Sequence, residues 1–351
     1  MAGGGFGRPV VGRLTAAGRL RLALPLPARP AAAPPEPARR AVLAPDRVLP
    51  RLADPVPRWP GRAVRLDGAV TYARSTPPTA PDAEPALYLH GLGGSSTNWT
   101  DLAALLAGRF DAAAIDLPGA GGSDPALRYT VAALADRVIR WIEHAGQRPV
   151  HLLGNSLGGA IAVMTAATRP DLVRTLTLIS PALPFLDPRR SLQSRMVPLL
   201  ALPGGDRLVR RLLATIPPEQ LAQRVIEACY ADPGRVAEHR LAEAIEEIRL
   251  RYTVDHYLPA YLRTMRGLVV SFLRAYLPGS GSLWRLAAAV RAPTLVVGGR
   301  QDRMVDVRVA PQAARVIPDS RLLMLDGVGH VAQLEVPRLV ARAVVGMLDE
   351  L

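Results

Sequence analysis

One stretch of the 351-residue sequence joins a strand-like apolar run to a tight turn and a helix: Val150-His151-Leu152-Leu153-Gly154-Asn155-Ser156-Leu157-Gly158-Gly159-Ala160. Its centre has the pattern G-x-S-x-G, and a helix-like run follows directly up to Thr168. The glycines leave room for a strained turn that presents Ser156 at a helix N-terminus, where free N–H groups favour a developing anion. The stretch predicts a strand–turn–helix unit with Ser156 as a candidate nucleophile. A glycine-rich turn with an idle serine is the alternative.

Around this unit, short apolar runs alternate with helix-length segments. This alternation predicts an α/β fold with a mostly parallel central sheet and helices on both faces. Ahead of the parallel part, Ala63–Leu66 and Ala69–Ala73 flank Asp67-Gly68, a favoured two-residue turn, so we expect a leading hairpin. The other predicted strands are Ala86–Leu89, Ala112–Ile115, Val150–Leu153, Leu176–Ile179, Thr294–Val297 and Leu322–Leu325.

The alternation stops over residues 183–290, where only helical periodicity is found. We expect this insertion to form a helical cap, or lid, placed before the last two strands. It would cover the carboxyl ends of the strands, which is the edge where open α/β sheets bind ligands. The α/β core is therefore predicted in two parts, residues 61–182 and 291–351.

Residues 1–60 differ in composition from the rest of the chain. They hold 12 of the 34 prolines, and ten arginines against three acidic residues. Runs such as Pro34-Pro35-Glu36-Pro37 cannot sustain a helix or a central strand. An unbroken apolar run of about 7–15 residues, which a secretory signal needs, is not found in this segment. We predict a disordered leader over residues 1–60 and a cytoplasmic location.

Two loops after later strands carry candidate partners for Ser156. Asp302 lies just past one predicted strand, and His330 lies just past the next. Because the carboxyl ends of parallel strands meet at one edge of the sheet, we expect both side chains near Ser156. His330 would take the proton of Ser156, and Asp302 would orient the imidazole and stabilise its charged form. Asp306, which lies farther from the strand end, is an alternative orienting carboxylate.

The first parallel strand ends in a His-Gly loop, His90-Gly91-Leu92-Gly93-Gly94. Such a loop can present the N–H group of Leu92 to a substrate carbonyl oxygen, with the N–H group of Leu157 as the second donor of an oxyanion hole. His90 itself is interpreted as an anchor of the loop rather than as a proton-transfer group. Four residues after the loop are predicted as possible substrate-lining residues: Ser95, Ser96, Asn98 and Trp99.

Five short motifs occur in order along the chain, each at the end of a predicted strand. They are His90-Gly91-x-Gly93-Gly94, Asp116-Leu117-Pro118-Gly119-x-Gly121-x-Ser123, Gly154-Asn155-Ser156-Leu157-Gly158-Gly159, Gly299-x-x-Asp302 and Gly329-His330-x-x-x-x-Glu335-x-Pro337. Over about residues 62–351 the chain resembles serine hydrolases of the capped α/β-hydrolase fold. The resemblance implies a catalytic triad of Ser156, Asp302 and His330, and a structural role for Asp116. The leader has no counterpart in this pattern, and the cap carries no matching motif.

Composition argues against several other kinds of protein and site. The single cysteine, Cys229, excludes an intramolecular disulfide framework and a multi-cysteine zinc site, and we expect it to be a packed thiol. The net charge of +13 comes only from arginines, which are scattered without interleaved aromatic residues, so no nucleic-acid partner is predicted. No apolar window of 18 or more residues predicts membrane insertion. We expect a small-molecule substrate and no cofactor or metal, and the sequence indicates no oligomeric state.

The predicted reaction is hydrolysis of an ester or thioester of a largely apolar small molecule through an acyl-enzyme on Ser156. Haloalkane dehalogenases and epoxide hydrolases of the same superfamily use aspartate at this turn, so the serine argues against both. The elbow is also similar to that of hydrolases that cleave carbon–carbon bonds in ring-fission products of aromatics, and this reaction is the alternative. A non-catalytic ligand-binding protein of the same fold is the third possibility.

Overall fold

The computed structural model describes Met1 and residues 38–53, 55–146, 149–185, 211, 215–275 and 282–351. Apart from Met1, these residues belong to one unit, Glu36–Leu351. The described residues form one sheet of nine strands. The strands are β1 (Arg39–Arg40), β2 (Gly61–Leu66), β3 (Ala69–Thr76), β4 (Glu84–Leu89), β5 (Phe110–Ile115), β6 (Val150–Asn155), β7 (Val173–Ile179), β8 (Thr294–Gly299) and β9 (Ser320–Leu325).

The order of strands across the sheet is β1-β9-β8-β7-β6-β4-β5-β3-β2. Neighbouring strands are parallel except for the pairs β2–β3 and β3–β5, which are antiparallel. Asp67 and Gly68 connect β2 to β3 with left-handed φ angles of 49° and 83°, as a two-residue hairpin turn requires. The predicted mostly parallel sheet with a leading hairpin is confirmed.

Helices cover both faces of the sheet. Helix α2 is representative: the side chain of Thr130 caps its first turn, and its buried residues recur at helical spacing along one face. Helices α2, α3, α7 and α8 bury apolar residues on one side of the sheet, and α1, α9 and α10 do so on the other. The described helices are α1 (Thr100–Leu106), α2 (Val131–His144), α3 (Leu157–Thr168), α4 (Pro218–Cys229), α5 (Glu238–Tyr252), α6 (Tyr257–Arg274), α7 (Leu283–Ala288), α8 (Val309–Val316), α9 (Ala332–Glu335) and α10 (Pro337–Asp349).

The predicted helical insertion is found between β7 and β8, where α4, α5 and α6 form the described part of the cap. Of the predicted cap, residues 186–210, 212–214 and 276–281 lie outside the described residues. Leu283 and Ala287 of α7 join the apolar core beneath the sheet, so this last helix of the insertion packs on the core. None of the helices in the described ranges is both long and apolar enough to cross a bilayer.

The predicted disordered leader needs a correction at its carboxyl end. Residues 38–53 and 55–60 lie against the core: β1 pairs with β9, and Ala44, Leu49 and Val56 are buried. Proline excludes helix and central strand, but it is compatible with an extended segment that follows the surface. Widely spaced apolar residues are enough to hold such a segment in place. Residues 2–37 of the predicted leader lie outside the described residues.

A glycine in α10 provides a test of this docking. A β-carbon added at Gly346 would lie 2.1 Å from the carbonyl oxygen of Val42. We therefore expect Gly346→Ala to lower the free energy of unfolding by about 1–3 kcal/mol, although alanine favours a helix by about 1 kcal/mol. Denaturant unfolding would measure the change. As a control, Gly108→Ala should have little effect, because the nearest atom to its added β-carbon is 3.7 Å away. Equal effects of the two substitutions would contradict the docking.

Candidate active site

Ser156 lies at the turn between β6 and α3 with a left-handed backbone, φ 54° and ψ −116°. Hydrogen bonds fix this conformation on both sides. The N–H of Ser156 donates to the carbonyl of Ile179 (3.0 Å), and its carbonyl accepts from the N–H groups of Ala160 (3.1 Å) and Ala182 (2.9 Å). Non-glycine residues rarely adopt such a φ, and they do so mostly at functional sites.

The glycines around Ser156 are required by close packing. A β-carbon at Gly154 would lie 2.4 Å from the carbonyl oxygen of Gly158, and one at Gly158 would lie 2.2 Å from that of Leu89. At Gly159 it would lie 2.9 Å from the side chain of Pro181. The pattern G-x-S-x-G-G thus follows from the approach of α3 to the end of the sheet.

His330 and Asp302 face each other near Ser156. Nδ1 of His330 lies 2.9 Å from Oδ2 of Asp302, and both side chains are buried. The other carboxylate oxygen of Asp302 accepts from the N–H groups of Met304 (2.8 Å) and Val305 (2.9 Å). With the carboxylate fixed on both oxygens and Nδ1 directed at it, Nε2 of His330 is left for proton transfer.

Asp306, the alternative orienting carboxylate, and Asp326, which lies close to His330 in the sequence, are both held elsewhere. Both oxygens of Asp306 contact the guanidinium of Arg308, at 2.9 and 2.8 Å. Asp326 pairs with Arg300 at 2.8 Å, and 83% of its side chain is exposed. Asp302 is the carboxylate that the structure brings to His330.

His90 anchors the loop that carries Leu92. Nε2 of His90 accepts from the N–H of Leu117 (2.9 Å), and Nδ1 faces the carbonyl of Gly91 (2.7 Å). Burial lowers the pKa of His90, which agrees with a neutral imidazole that donates from Nδ1 and accepts at Nε2. Leu92 lines the same cavity as Ser156, and Leu157 is the first residue of α3.

Asp116 stabilises the neighbouring loops through backbone groups. Its two carboxylate oxygens accept from the N–H groups of Ser96 (2.6 Å) and Gly122 (2.9 Å), and its carbonyl accepts from the hydroxyl of Ser123 (2.7 Å). A buried carboxylate surrounded by N–H donors braces a loop without contacting the cavity.

Ser156 and His330 open onto a cavity of about 640 Å³ between the core and the cap. Most of the cavity surface is apolar. The cap helices α4 and α6 and the residues after His330 contribute mainly apolar residues, and α5 contributes the polar and charged residues His239, Arg240, Glu243 and Glu247. The apolar lining residues include Val225, Ile226, Met265, Leu268, Val269, Phe272, Met304, Val331 and Leu334. A mostly apolar cavity with a few polar groups is typical of a small-molecule site.

Two arginines line the cavity among the described residues, and both are engaged. Arg240 contacts the carboxylates of Asp101 (2.6 Å) and Glu243 (2.7 Å). Arg235 donates to the carbonyl of Gly327 (2.8 Å) and lies 3.3 Å from Glu335. Both guanidiniums are therefore already engaged with carboxylates of the protein.

A third charged pair joins the cap to the segment after the loop of residues 90–94. The hydroxyl of Thr97 donates to Glu247 (3.1 Å), and Arg251 contacts the other oxygen of the same carboxylate (2.5 Å). The pKa of Glu247 lies below its ordinary value. Burial alone would raise this pKa, but the charge of Arg251 and these hydrogen bonds have the larger, opposite effect. The cap helix α5 thus carries an ionised carboxylate on the cavity wall.

Of the four residues predicted as possible substrate-lining residues, Asn98 lines the cavity, whereas Ser95, Ser96 and Trp99 lie outside its wall. The Trp99 ring is buried and stacks on Tyr88, with ring centroids 5.2 Å apart. Ser95 is also buried and caps the short helix Ser96–Trp99. Thr97 lines the cavity beside Asn98. Side chains three residues apart are eclipsed in a 3-10 turn, so Ser96 and Trp99 share the buried face and the two residues between them point elsewhere.

Glu335 belongs to the last of the five sequence motifs, but no role was predicted for it. Its carboxylate accepts from the N–H groups of Gly329 (2.7 Å), Ala231 (3.2 Å) and Asp232 (3.3 Å). It therefore ties the loop of His330 to the connection between α4 and α5. The signal in the sequence is a charged residue five positions after His330 in an otherwise apolar stretch.

A family model described as alpha/beta hydrolase fold matches residues 85–337. The chain is 29% identical over 272 residues to the dihydrolipoyllysine-residue acetyltransferase component of the acetoin cleaving system of Cupriavidus necator, which covers 77% of this chain and 64% of that relative. It is 24% identical to human monoacylglycerol lipase ABHD6 over 75% of this chain and 74% of the relative. Among solved structures, a lipase described as putative from Acinetobacter baumannii superposes with a TM-score of 0.67 at 22% identity, over 83% of this chain and 91% of that chain.

The thiol of Cys229 gives a prediction for the cavity wall. Burial, with the charge of Asp302, raises the pKa of Cys229 to about 12. Since the thiolate is the reactive form, we expect iodoacetamide to alkylate the folded protein near pH 8 about a thousandfold more slowly than an ordinary thiol. Mass spectrometry would follow the reaction, with the protein unfolded in guanidinium as the control. Equal rates in both states would contradict the raised pKa.

Proposed function

Because the chain belongs to the alpha/beta hydrolase fold family, we propose that it is a serine hydrolase that cleaves an ester or thioester of a largely apolar small molecule. The observation that carries the proposal is the Asp302–His330 pair beside the strained turn of Ser156, with Ser156 and His330 on one apolar cavity. Nucleophile, base and orienting carboxylate are the three groups that acyl transfer needs.

In the proposed first step, Oγ of Ser156 attacks the carbonyl carbon of the substrate while Nε2 of His330 takes the hydroxyl proton. Asp302 accepts from Nδ1–H, which fixes the tautomer and stabilises the imidazolium. The imidazolium then protonates the leaving alcohol or thiol, and the acyl group stays on Ser156. In the second step His330 removes a proton from water, which attacks the acyl-enzyme and releases the acid.

The N–H groups of Leu92 and Leu157 are the proposed oxyanion donors. Leu92 belongs to the loop that His90 anchors, and Leu157 begins α3, so both donors are part of rigid elements. Preorganised donors of this kind contribute about 10²–10³-fold each to kcat, because they stabilise charge that develops in the transition state.

The cavity wall supports an uncharged, largely apolar substrate. The wall contributed by α4 and α6 is apolar, and Arg235 and Arg240 are paired with carboxylates. Ring-fission products of aromatics carry a carboxylate, which would need a free cation in this wall. We therefore rank an ester or thioester above carbon–carbon cleavage. The relative named a monoacylglycerol lipase is consistent with this substrate class.

We expect Ser156→Ala to lower kcat for p-nitrophenyl esters by on the order of 10⁶, since the nucleophile is removed. Hydrolysis of a series from acetate to laurate would be measured, together with labelling by a fluorophosphonate probe. Ser271→Ala is the matched control, because this hydroxyl bonds within α6 and its residue does not line the cavity. Labelling without ester turnover would favour carbon–carbon hydrolysis, and neither labelling nor turnover would favour a non-catalytic role.

Asp302→Asn should lower kcat by on the order of 10⁴ with a small change in KM, because the amide favours the wrong tautomer of His330. Asp326→Asn, an exposed aspartate near His330 in sequence, should leave kcat within about twofold. Steady-state kinetics on the best ester would measure both. A comparable loss in the two variants would remove Asp302 from the proposed role.

A further inference from the structure

The cavity has a wall that the family match does not include. Leu52, Ala53 and Val56 line the cavity, whereas the matched residues begin at 85. These three residues belong to residues 49–53 and 55–59, here called the strap, which lie in the chain between the segment beside α10 and β2. The strap therefore adds a surface to the cavity from outside residues 85–337, which the family model matches.

Charged and polar contacts hold the strap to the cap and to the core. Arg240 of α5 donates to the carbonyl of Val56 (2.9 Å) and also contacts Asp101 of α1. In the strap, Arg58 pairs with Glu243 of α5 (3.3 Å), and the indole of Trp59 donates to the carbonyl of Thr100 (3.0 Å). Arg240 thus joins strap, cap and core at one point.

The other end of the strap is fixed by α10. Arg338 contacts the side chain of Asp46 (2.9 Å) and donates to the carbonyl of Pro50 (2.9 Å). Leu49 is buried beside them in the apolar core. A segment fixed at both ends presents its side chains in a constant position, as a specificity-determining wall requires.

From these contacts we propose that Leu52 and Val56 determine the length of the substrate chain that the cavity accepts. The proposal rests on the ester hydrolysis proposed above. A strap with only a structural role would bury these side chains against protein, but they face a cavity of about 640 Å³. In an apolar pocket, each methylene that no longer fits lowers kcat/KM by about 10- to 200-fold.

Substitutions of Val56 in opposite directions test the proposal. We expect Val56→Trp to move the chain-length optimum to shorter esters, with a loss of at least about tenfold on the longest good substrate. Val56→Ala should move the optimum to longer esters. Two series would be measured on the full chain: p-nitrophenyl esters of straight-chain acids, and acetates of straight-chain alcohols. The shift is expected in the series whose varied chain reaches the strap.

Val48 supplies the matched controls Val48→Trp and Val48→Ala, since it lies just before the strap, is 48% exposed and does not line the cavity. A second measurement needs no catalysis. Calorimetry would follow the binding of straight-chain 1-alkanols to the Ser156→Ala variant and to the double variants that combine it with each Val56 substitution. If the Val56 changes shift the chain length of the best-bound alkanol but the wild type hydrolyses no ester, the role of the strap is supported and the proposed function is refuted. Two results would contradict the role of the strap in chain-length selection. One is ester turnover in which the Val56 variants have the same chain-length profiles as the Val48 variants, and the other is the absence of alkanol binding at any chain length.

Discussion

The left-handed backbone of Ser156 is the constraint on which the site depends. Its N–H and carbonyl are bonded to Ile179, Ala160 and Ala182, so the turn is fixed by the neighbouring strand β7, by α3 and by the chain after β7. This turn brings α3 so close to the sheet that positions 154 and 158 have no room for a side chain larger than that of glycine. The same turn therefore determines the position of the Ser156 hydroxyl, the direction of α3 and the packing of α3 against the central strands.

Three buried carboxylates hold the loops around that turn, and they do so mainly through backbone N–H groups. Asp116 binds the loops after β4 and β5, Asp302 folds its own loop around one oxygen, and Glu335 joins the His330 loop to the cap. Charge-assisted bonds to N–H groups are strong and directional, so they fix loops that have few apolar contacts of their own. Asp302 differs from the other two in giving its second oxygen to His330.

The sequence predicted the sheet, the insertion and the grouping of Ser156, Asp302 and His330, because each of these depends on local apolar runs and on where strands end. It did not predict the docking of residues 38–53 and 55–60 or the cavity wall of Val56. Those contacts join residues far apart in the chain, such as Arg240 with Val56, and no local pattern indicates them. Ser95 and Trp99 were placed wrongly because the direction of side chains in a single helical turn is set by tertiary packing against Tyr88.

The pairing of β1 with β9 has a consequence for the order in which the molecule assembles. Arg39 is synthesised long before its partner, Arg321. The chain between them is very long, and closing it has an entropic cost. Contacts with the sheet offset this cost only after most of the sheet has formed. A ribosome-bound chain that stops before β9 has no strand on which β1 can pair. The sheet therefore gains this edge strand late, from residues that are synthesised long before β9.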